Sequence, residues 1–377
     1  MSTPGQTPVA SPLSDLLRPE LQDLRPYVPH DPPGIHAKLD ANEAPPTRSG
    51  EIRDAVERAV SRVALERYPD PRALRLKEAI ARRTGADPAC LLLGSGSDEV
   101  IGLCYTALGR ARGTNPQPVV LTTTPTFMMY RFTARTHGYK PVEVALDAEW
   151  DLDLASMKRA LEMMRPNVVF IASPNNPTGN RMREERLREL VQASVESLTV
   201  IDEAYVDYAG QGASLRAWRS EHPHLGFLGT LSKIGLAALR VGWLEAERSL
   251  VDEIDKVRSP FNLSSTTQAA AAAVLDEAWD AVLADVARVI AARSEVATAI
   301  EALDGFSVLP SAANFLWVKT PIPAESLYAA LIGDGVLVRS FHPAGGRMTS
   351  QLRITIGTPS ENDALVASLE RVAKGRR

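Results

Sequence analysis

Hydrophobic positions change their period along the chain. Before residue 90 they recur at helical spacing within polar surroundings, so residues 51–63 and 71–84 read as amphipathic helices, with Pro71 at a first-turn position. From Cys90 onward, short apolar runs at 91–93, 118–122, 142–146, 168–172, 198–201, 227–231 and 241–244 alternate with helical stretches. Helices are expected from Asp98, from Thr126, over 154–164 and over 183–197. Strand and helix in alternation argue for an α/β architecture, a mostly parallel sheet covered by helices on both faces. Residues 268–303 read as helix, broken near Asp276. After Asp304-Gly305 the pattern turns to strands at 306–309, 314–318, 335–339 and 352–356 with helices at 324–332 and 361–372, a small α+β unit.

The start of the chain differs from both regimes. A tail leads into a short helix over 13–24, then into a proline-rich arm carrying Pro29, Pro32, Pro33, Pro45 and Pro46. Those prolines exclude regular structure there. An arm of this kind must lie on its own small domain or on a partner subunit. The expected division is therefore an arm at 1–48, a large domain at 49–265 and a small domain at 266–377. A chain of 377 residues suits two domains.

Composition removes several classes. A net charge of −4 and a pI of about 6.0 suggest neither a nucleic-acid nor an anionic-membrane partner. No apolar run approaches the ~18 residues of a membrane span. Residues 1–12 are polar and proline-rich, unlike a secretory signal. Cys90 and Cys104 lie in apolar runs and read as buried free thiols, which fits a cytoplasmic location. The six histidines are scattered, His222 and His224 read as part of a solvated loop, and no metal site is expected.

In a sheet of this class ligands bind at the carboxyl ends of the strands, and the polar motifs fall there. Thr230-Leu231-Ser232-Lys233-Ile234-Gly235-Leu236 places a lysine among apolar residues, with Arg240 seven positions on. Lys233 suits a lysine that holds pyridoxal phosphate as an imine, since attack on an aldehyde needs a desolvated, partly neutral amine. The alternative is a lysine on a solvated loop. Gly94-Ser95-Gly96-Ser97-Asp98-Glu99 leaves a strand and opens a helix. That suits a phosphate cradle, a helix start with Ser97 as its cap, or both at once. Ser173-Pro174-Asn175-Asn176-Pro177-Thr178-Gly179 is a rigid turn that either aims Asn176 outward at a cofactor hydroxyl or is a turn only. Asp202, ending the strand before Glu203-Ala204-Tyr205, either pairs with a protonated pyridine nitrogen or caps the next helix. Glu203 reads as structural, and Tyr205 is within reach of a ring hydroxyl. Phe127 either stacks on a planar ring or fills the core. Arg339 and Arg353, each in an expected strand, bind an anion or an internal carboxylate.

Together with Lys38-Leu39-Asp40-Ala41-Asn42-Glu43, Arg67-Tyr68-Pro69-Asp70 and Leu352-Arg353-Ile354-Thr355-Ile356-Gly357-Thr358-Pro359, these motifs resemble the fold-type I pyridoxal phosphate enzymes. Within them the chain is most similar to the histidinol-phosphate aminotransferases, over nearly its whole length and in the same order. The resemblance implies a large domain with a seven-stranded sheet and a smaller α+β domain. It implies that Lys233 carries the cofactor and shuttles the proton, that Asp202 pairs with the ring nitrogen, and that Asn176 and Tyr205 meet the ring hydroxyl. Ser97, Asp98, Ser232 and Arg240 would hold the phosphate, Phe127 would stack on the ring, and Asn42, Arg339 and Arg353 would bind substrate. It also implies a homodimer in which Tyr68 reaches the neighbouring subunit's cofactor, and transfer from histidinol phosphate to 2-oxoglutarate. An aromatic amino acid aminotransferase or a phosphothreonine decarboxylase on the same scaffold is the alternative, and a cofactor-binding regulator the alternative of another class. Three departures stand out: Phe127 in place of tyrosine, Ala44 in place of asparagine after Asn42-Glu43, and a Lys233–Arg240 spacing one residue shorter than in many relatives.

Overall fold

The computed structural model describes residues 16–18, 21, 24–26, 28 and 30–374. The helix expected over 13–24 falls largely outside the described residues. In chain order the structure begins with β1 (Ala37–Leu39), α1 (Gly50–Val60), α2 (Leu74–Thr84), β2 (Leu91–Ser95) and α3 (Ser97–Ala107). Alternation follows: β3 (Val119–Thr124), α4 (Met129–Thr136), β4 (Lys140–Ala145), α5 (Leu154–Met164), β5 (Val168–Ala172), α6 (Glu184–Ala193) and β6 (Leu198–Asp202). Then come β7 (Leu225–Thr230), β8 (Val241–Glu245), α7 (Arg248–Asp255), α8 (Ser265–Glu277) and α9 (Trp279–Glu301). The last elements are β9 (Ser307–Leu309), β10 (Phe315–Lys319), α10 (Ala324–Gly333), β11 (Val336–Ser340), β12 (Gln351–Thr355) and α11 (Pro359–Lys374).

Seven strands form one sheet in the order β2-β8-β7-β6-β5-β3-β4. Every pairing is parallel except those of β8, which runs against both β2 and β7. The central strands β5, β6 and β7 are buried along their whole length, as the unbroken apolar runs require of strands covered on both faces. At the edge, β4 shows one side to water and carries Pro141, a residue that only an edge strand tolerates. A second sheet, β1-β11-β12-β10-β9, is antiparallel except that β1 pairs in parallel with β11.

Several local expectations are revised. The arm does contain regular structure. Between its proline clusters, Ala37, Lys38 and Leu39 pair with Val336, Leu337 and Val338, and Ala37 and Leu39 are buried. The second amphipathic helix starts at Leu74 rather than Pro71, because the Asp70 carboxylate accepts from the N–H groups of Arg72 and Leu74 and holds 70–73 as a turn. The helix expected from Thr126 starts at Met129, and the one expected over 183–197 stops at Ala193. The break near Asp276 falls at Ala278, whose φ of −132° leaves the helical region between α8 and α9. Helix α7, whose apolar stripe Val251 and Ile254 is short, was not anticipated. Cys90 and Cys104 are buried and free. Among the described residues, no helix is long and apolar enough to cross a membrane.

Candidate active site

The carboxyl ends of β2, β5, β6 and β7, with the start of antiparallel β8, share one edge of the large sheet. Ser95, Ala172, Asp202 and Thr230 end there and Val241 begins there. The turns leaving these strands carry Gly96-Ser97, Asn176, Tyr205 and Lys233, and Arg240 precedes β8.

At β2, Gly96 rather than Ser97 is the N-cap of α3, with φ +80° and ψ 168°. Ser97 is thus the first helical residue, which rules out its reading as the cap. The first-turn N–H groups of this helix have no intrahelical acceptors and face the edge. Gly96 donates to the carbonyl of Arg240 at 2.9 Å, and a Cβ on Gly96 would lie 2.4 Å from Nη2 of Arg240. Gly242 has a similar role, since a Cβ there would lie 2.3 Å from the backbone nitrogen of Ser97. Ser232 Oγ accepts from Thr230 Oγ1 at 3.0 Å and lies 3.5 Å from Nη1 of Arg240. The Gly96–Ser97 turn, the Ser232 hydroxyl and the Arg240 guanidinium thus converge within one small cradle. Asp98 stands beside it with Oδ1 buried and without a hydrogen-bond partner. Burial raises the Asp98 carboxyl, and Arg240 and Lys233 pull it back.

Asp202 is 5% exposed at the end of β6. Its Oδ2 accepts from the hydroxyl of Tyr130 at 2.5 Å and its Oδ1 from the N–H of Ala204 at 2.9 Å. Burial raises this carboxyl, opposed by Tyr130, Ala204 and the positive charge of Lys233. Ala204 is thus capped locally by Oδ1, while Oδ2 is held by Tyr130 rather than by the following turn. Glu203 points to the other side and is structural: it accepts from Ser214 Oγ and Leu215 N and pairs with Arg216 at 3.5 Å.

Lys233 sits in a single wide turn, Ser232–Leu236, that Gly235 leaves with φ +91°. Its carbonyl accepts from the hydroxyl of Tyr208 at 2.6 Å, and its Nζ lies 5.8 Å from the centre of the Tyr205 ring. Tyr205 accepts at its hydroxyl from Nδ2 of Asn42 at 2.8 Å. Asn42 is buried in the left-handed region (φ 55°), and its backbone N–H and Oδ1 both meet Thr355 Oγ1. The arm is thereby pinned between the two sheets at the site.

Asn176 does not point outward. It is buried, and its Oδ1 accepts from Nη1 of Arg353 at 2.6 Å, while Nη2 of Arg353 meets the carbonyl of Asp40. Its neighbour Asn175 braces the turn through Thr126, Pro125 and Thr178. Arg339 stands directly opposite Arg353 in the β11–β12 pairing. Phe127 is half-buried and meets Tyr130 edge-on at 5.5 Å. Tyr68 alone stays apart: it is 82% exposed and stacks on Phe261 at 4.7 Å.

Three site residues escaped the sequence reading. Tyr130 lies three positions after Phe127 and Tyr208 three after Tyr205, but Phe127 and Tyr205 both stand outside the helical turns that follow them, so no shared face links the pairs. Thr355 lies two after Arg353 on the same strand face.

The donor set fits a phosphorylated pyridine aldehyde. The cradle at Gly96, Ser97, Ser232 and Arg240 suits a phosphate, and the buried Asp202 suits a cationic ring nitrogen. Lys233 supplies the amine, its charge felt both by Asp98 beside the cradle and by Asp202. Among the described residues no group of three His, Cys, Asp or Glu side chains could hold a metal ion.

Comparison with known proteins agrees with this geometry. The family described as aminotransferase class I and II matches residues 36–369. The histidinol-phosphate aminotransferase 2 of Nitrosococcus oceani is 38% identical over 360 residues, covering 94% of this chain and 96% of that protein. The histidinol-phosphate aminotransferase of Methylibium petroleiphilum is 36% identical, covering 98% of each. Among solved structures, the histidinol-phosphate aminotransferase of Sinorhizobium meliloti in complex with pyridoxal-5'-phosphate superposes with a TM-score of 0.83 at 26% identity, covering 96% of this chain and 98% of that one. The L-threonine-O-3-phosphate decarboxylase of Porphyromonas gingivalis shares the fold, with a TM-score of 0.74 at 18% identity. With the family model matched over residues 36–369 and relatives aligned over nearly the whole length, the chain belongs to the class I and II aminotransferases, a family of fold-type I pyridoxal phosphate enzymes.

Proposed function

We propose that the protein transfers the amino group of histidinol phosphate to 2-oxoglutarate, giving imidazole acetol phosphate and glutamate. The observation that carries the substrate class is Arg339 opposite Arg353 in the β11–β12 register, with Arg353 tied to the Asn176 turn. Like charges directly opposite on one sheet face are unfavourable on their own. Anions arriving between them reverse that cost. A phosphate on the amine and a carboxylate on the oxo acid meet the same pair in turn, as an alternating two-substrate transfer requires. The relatives named histidinol-phosphate aminotransferase support this choice over the aromatic and phosphothreonine readings.

When bound, pyridoxal phosphate supplies an aldehyde to take up the amine and a protonated ring to draw off the electron pair at the reacting carbon. Ser97 and Asp98 (through N–H), Ser232 and Arg240 anchor its phosphate. Asp202 holds the ring nitrogen charged, Phe127 packs on the ring, and Asn176 and Tyr205 face the ring hydroxyl. Lys233 Nζ takes the proton from the amine-bearing carbon and returns it one position away. Asn42, on the pinned arm, helps exclude water. In this reading residues 49–265 carry the cofactor, while 266–377 and the 1–48 arm close over the substrate. An exposed tyrosine stacked on an exposed phenylalanine supports a homodimer in which Tyr68 completes the neighbouring site. The two buried free thiols suit a cytoplasmic enzyme.

A substrate panel tests the substrate. Purified protein given histidinol phosphate, phenylalanine and phosphothreonine with 2-oxoglutarate should turn over the first at least about ten-fold faster in kcat/KM. No transfer from histidinol phosphate overturns the assignment.

A further inference from the structure

Tyr130 is fully buried on the first turn of α4, stacked on Phe170 at 4.9 Å with an interplanar angle of 6°. The hydroxyl of Tyr105 fixes its backbone by donating to the Tyr130 carbonyl at 2.9 Å. Ring and backbone are therefore both held, and the phenol is aimed at one atom, Oδ2 of Asp202. A phenol placed there by packing is a dedicated donor to the carboxylate.

We propose that Tyr130 is a positioning residue for the reaction, which holds Asp202 against the cofactor's ring nitrogen and keeps their shared proton on the ring. The inference rests on the reading of Asp202 as the partner of that nitrogen. Its logic is one of relative basicity. A carboxylate that already accepts a hydrogen bond is a weaker base than one that does not. With the phenol in place Asp202 pairs with the ring as an anion, and the proton stays on nitrogen. Without the phenol Asp202 is the stronger base and draws that proton toward itself, so the ring loses electron-withdrawing power.

Charges around the pair leave the phenol in the donor role. Burial and the neighbouring Asp202 push the Tyr130 hydroxyl well above its ordinary range, and Tyr105 and Tyr205 add to this. It therefore stays protonated across the working range. The groups facing Asp202 are Tyr130, Lys233 and Asp98, and those facing Tyr130 are Asp202, Tyr105 and Tyr205. Among these, only Tyr130 places a side-chain donor on Asp202.

The test uses Tyr130→Phe, which keeps the ring and its stacking. Tyr139→Phe is the control, since it removes a buried hydroxyl from the same cluster, one bonded to the Tyr105 carbonyl rather than to Tyr130 or Asp202. Holoprotein is reconstituted with pyridoxal phosphate labelled with 15N in the ring, and the nitrogen resonance is read alongside cofactor affinity and melting temperature. In Tyr130→Phe the resonance should move toward the unprotonated position and the cofactor affinity should fall about ten- to a hundred-fold, the worth of a hydrogen bond to a charged group. Tyr139→Phe should leave the resonance at its wild-type position. Tyr130→His, whose ring N–H keeps a donor, should bring the resonance back toward wild type, which keeps the test open if Tyr130→Phe folds poorly. An unmoved resonance in Tyr130→Phe, or an equal shift in Tyr139→Phe, overturns the role of Tyr130 and leaves the Asp202 reading standing. Wild-type protein with an unprotonated ring nitrogen overturns both.

Discussion

Nη1 of Arg353 lies 2.6 Å from Oδ1 of Asn176, joining the second sheet to the turn that leaves β5. One residue is a candidate substrate binder and the other a candidate cofactor neighbour, so this contact ties the two halves of the site directly, beside the bridge that Asn42 makes between Tyr205 and Thr355. The guanidinium is held at two points, since its other arm meets the Asp40 carbonyl on the arm. A lysine cannot reproduce that fork.

Arg353→Lys should therefore cost more than its conserved charge suggests. We expect kcat/KM for 2-oxoglutarate to fall about 30-fold or more, the scale for truncating one member of a buried charged hydrogen-bond pair. Steady-state kinetics with glutamate formation as readout checks this, and a loss under about three-fold would remove Arg353 from substrate binding.

Gly96→Ala should empty the phosphate cradle without unfolding the protein. The new methyl meets the end of the Arg240 side chain, 2.4 Å away, and the backbone at φ +80° disfavours any side chain. The strain is of order 1–3 kcal/mol, tolerable for a protein of this size. Cofactor titration of the refolded apoprotein should show affinity down by about ten-fold or more. Wild-type affinity would place the phosphate elsewhere.

The fold was legible because the central strands of its large sheet are short, mostly apolar runs and many of its helices are amphipathic, so period separated them. Boundaries failed where a side chain overrode propensity, as Asp70 does in delaying α2. β1 was hidden because a three-residue strand between prolines has no periodicity to read. At the site, Lys233, Asp202 and the Gly96 turn were legible because strand ends attract chemistry. Tyr130 and the Asn176–Arg353 contact were not, since both depend on elements 72 and 177 residues apart in sequence meeting in space.

Stability of the cofactor-free protein should depend on the buried carboxyls in and around the site. Burial raises Asp98, Asp202, Glu203 and Asp207. A carboxyl raised in the fold holds its proton more tightly there than in the unfolded chain. Its contribution is complete below the unfolded value and is lost as pH rises through the folded one. The apoprotein should thus lose stability from mildly acid to neutral pH. Asp202→Asn should raise its melting temperature near neutrality by about 1–3 °C and abolish transfer. A lower melting temperature would mean that Asp202 is stabilised by a partner within the apoprotein.

Tyr68 predicts complementation between subunits. Lys233→Ala and Tyr68→Ala variants should each be weak alone. Mixed after subunit exchange, half of the dimers are hybrids with one intact site each, so activity should recover to about a quarter of wild type. No recovery would confine Tyr68 to its own subunit.

The central claim is that Lys233 bears the cofactor. Borohydride reduction of the holoprotein followed by peptide mass mapping tests it directly. One phosphopyridoxyl group is expected, on the peptide containing Lys233. The group on any other lysine, or on none, would contradict it.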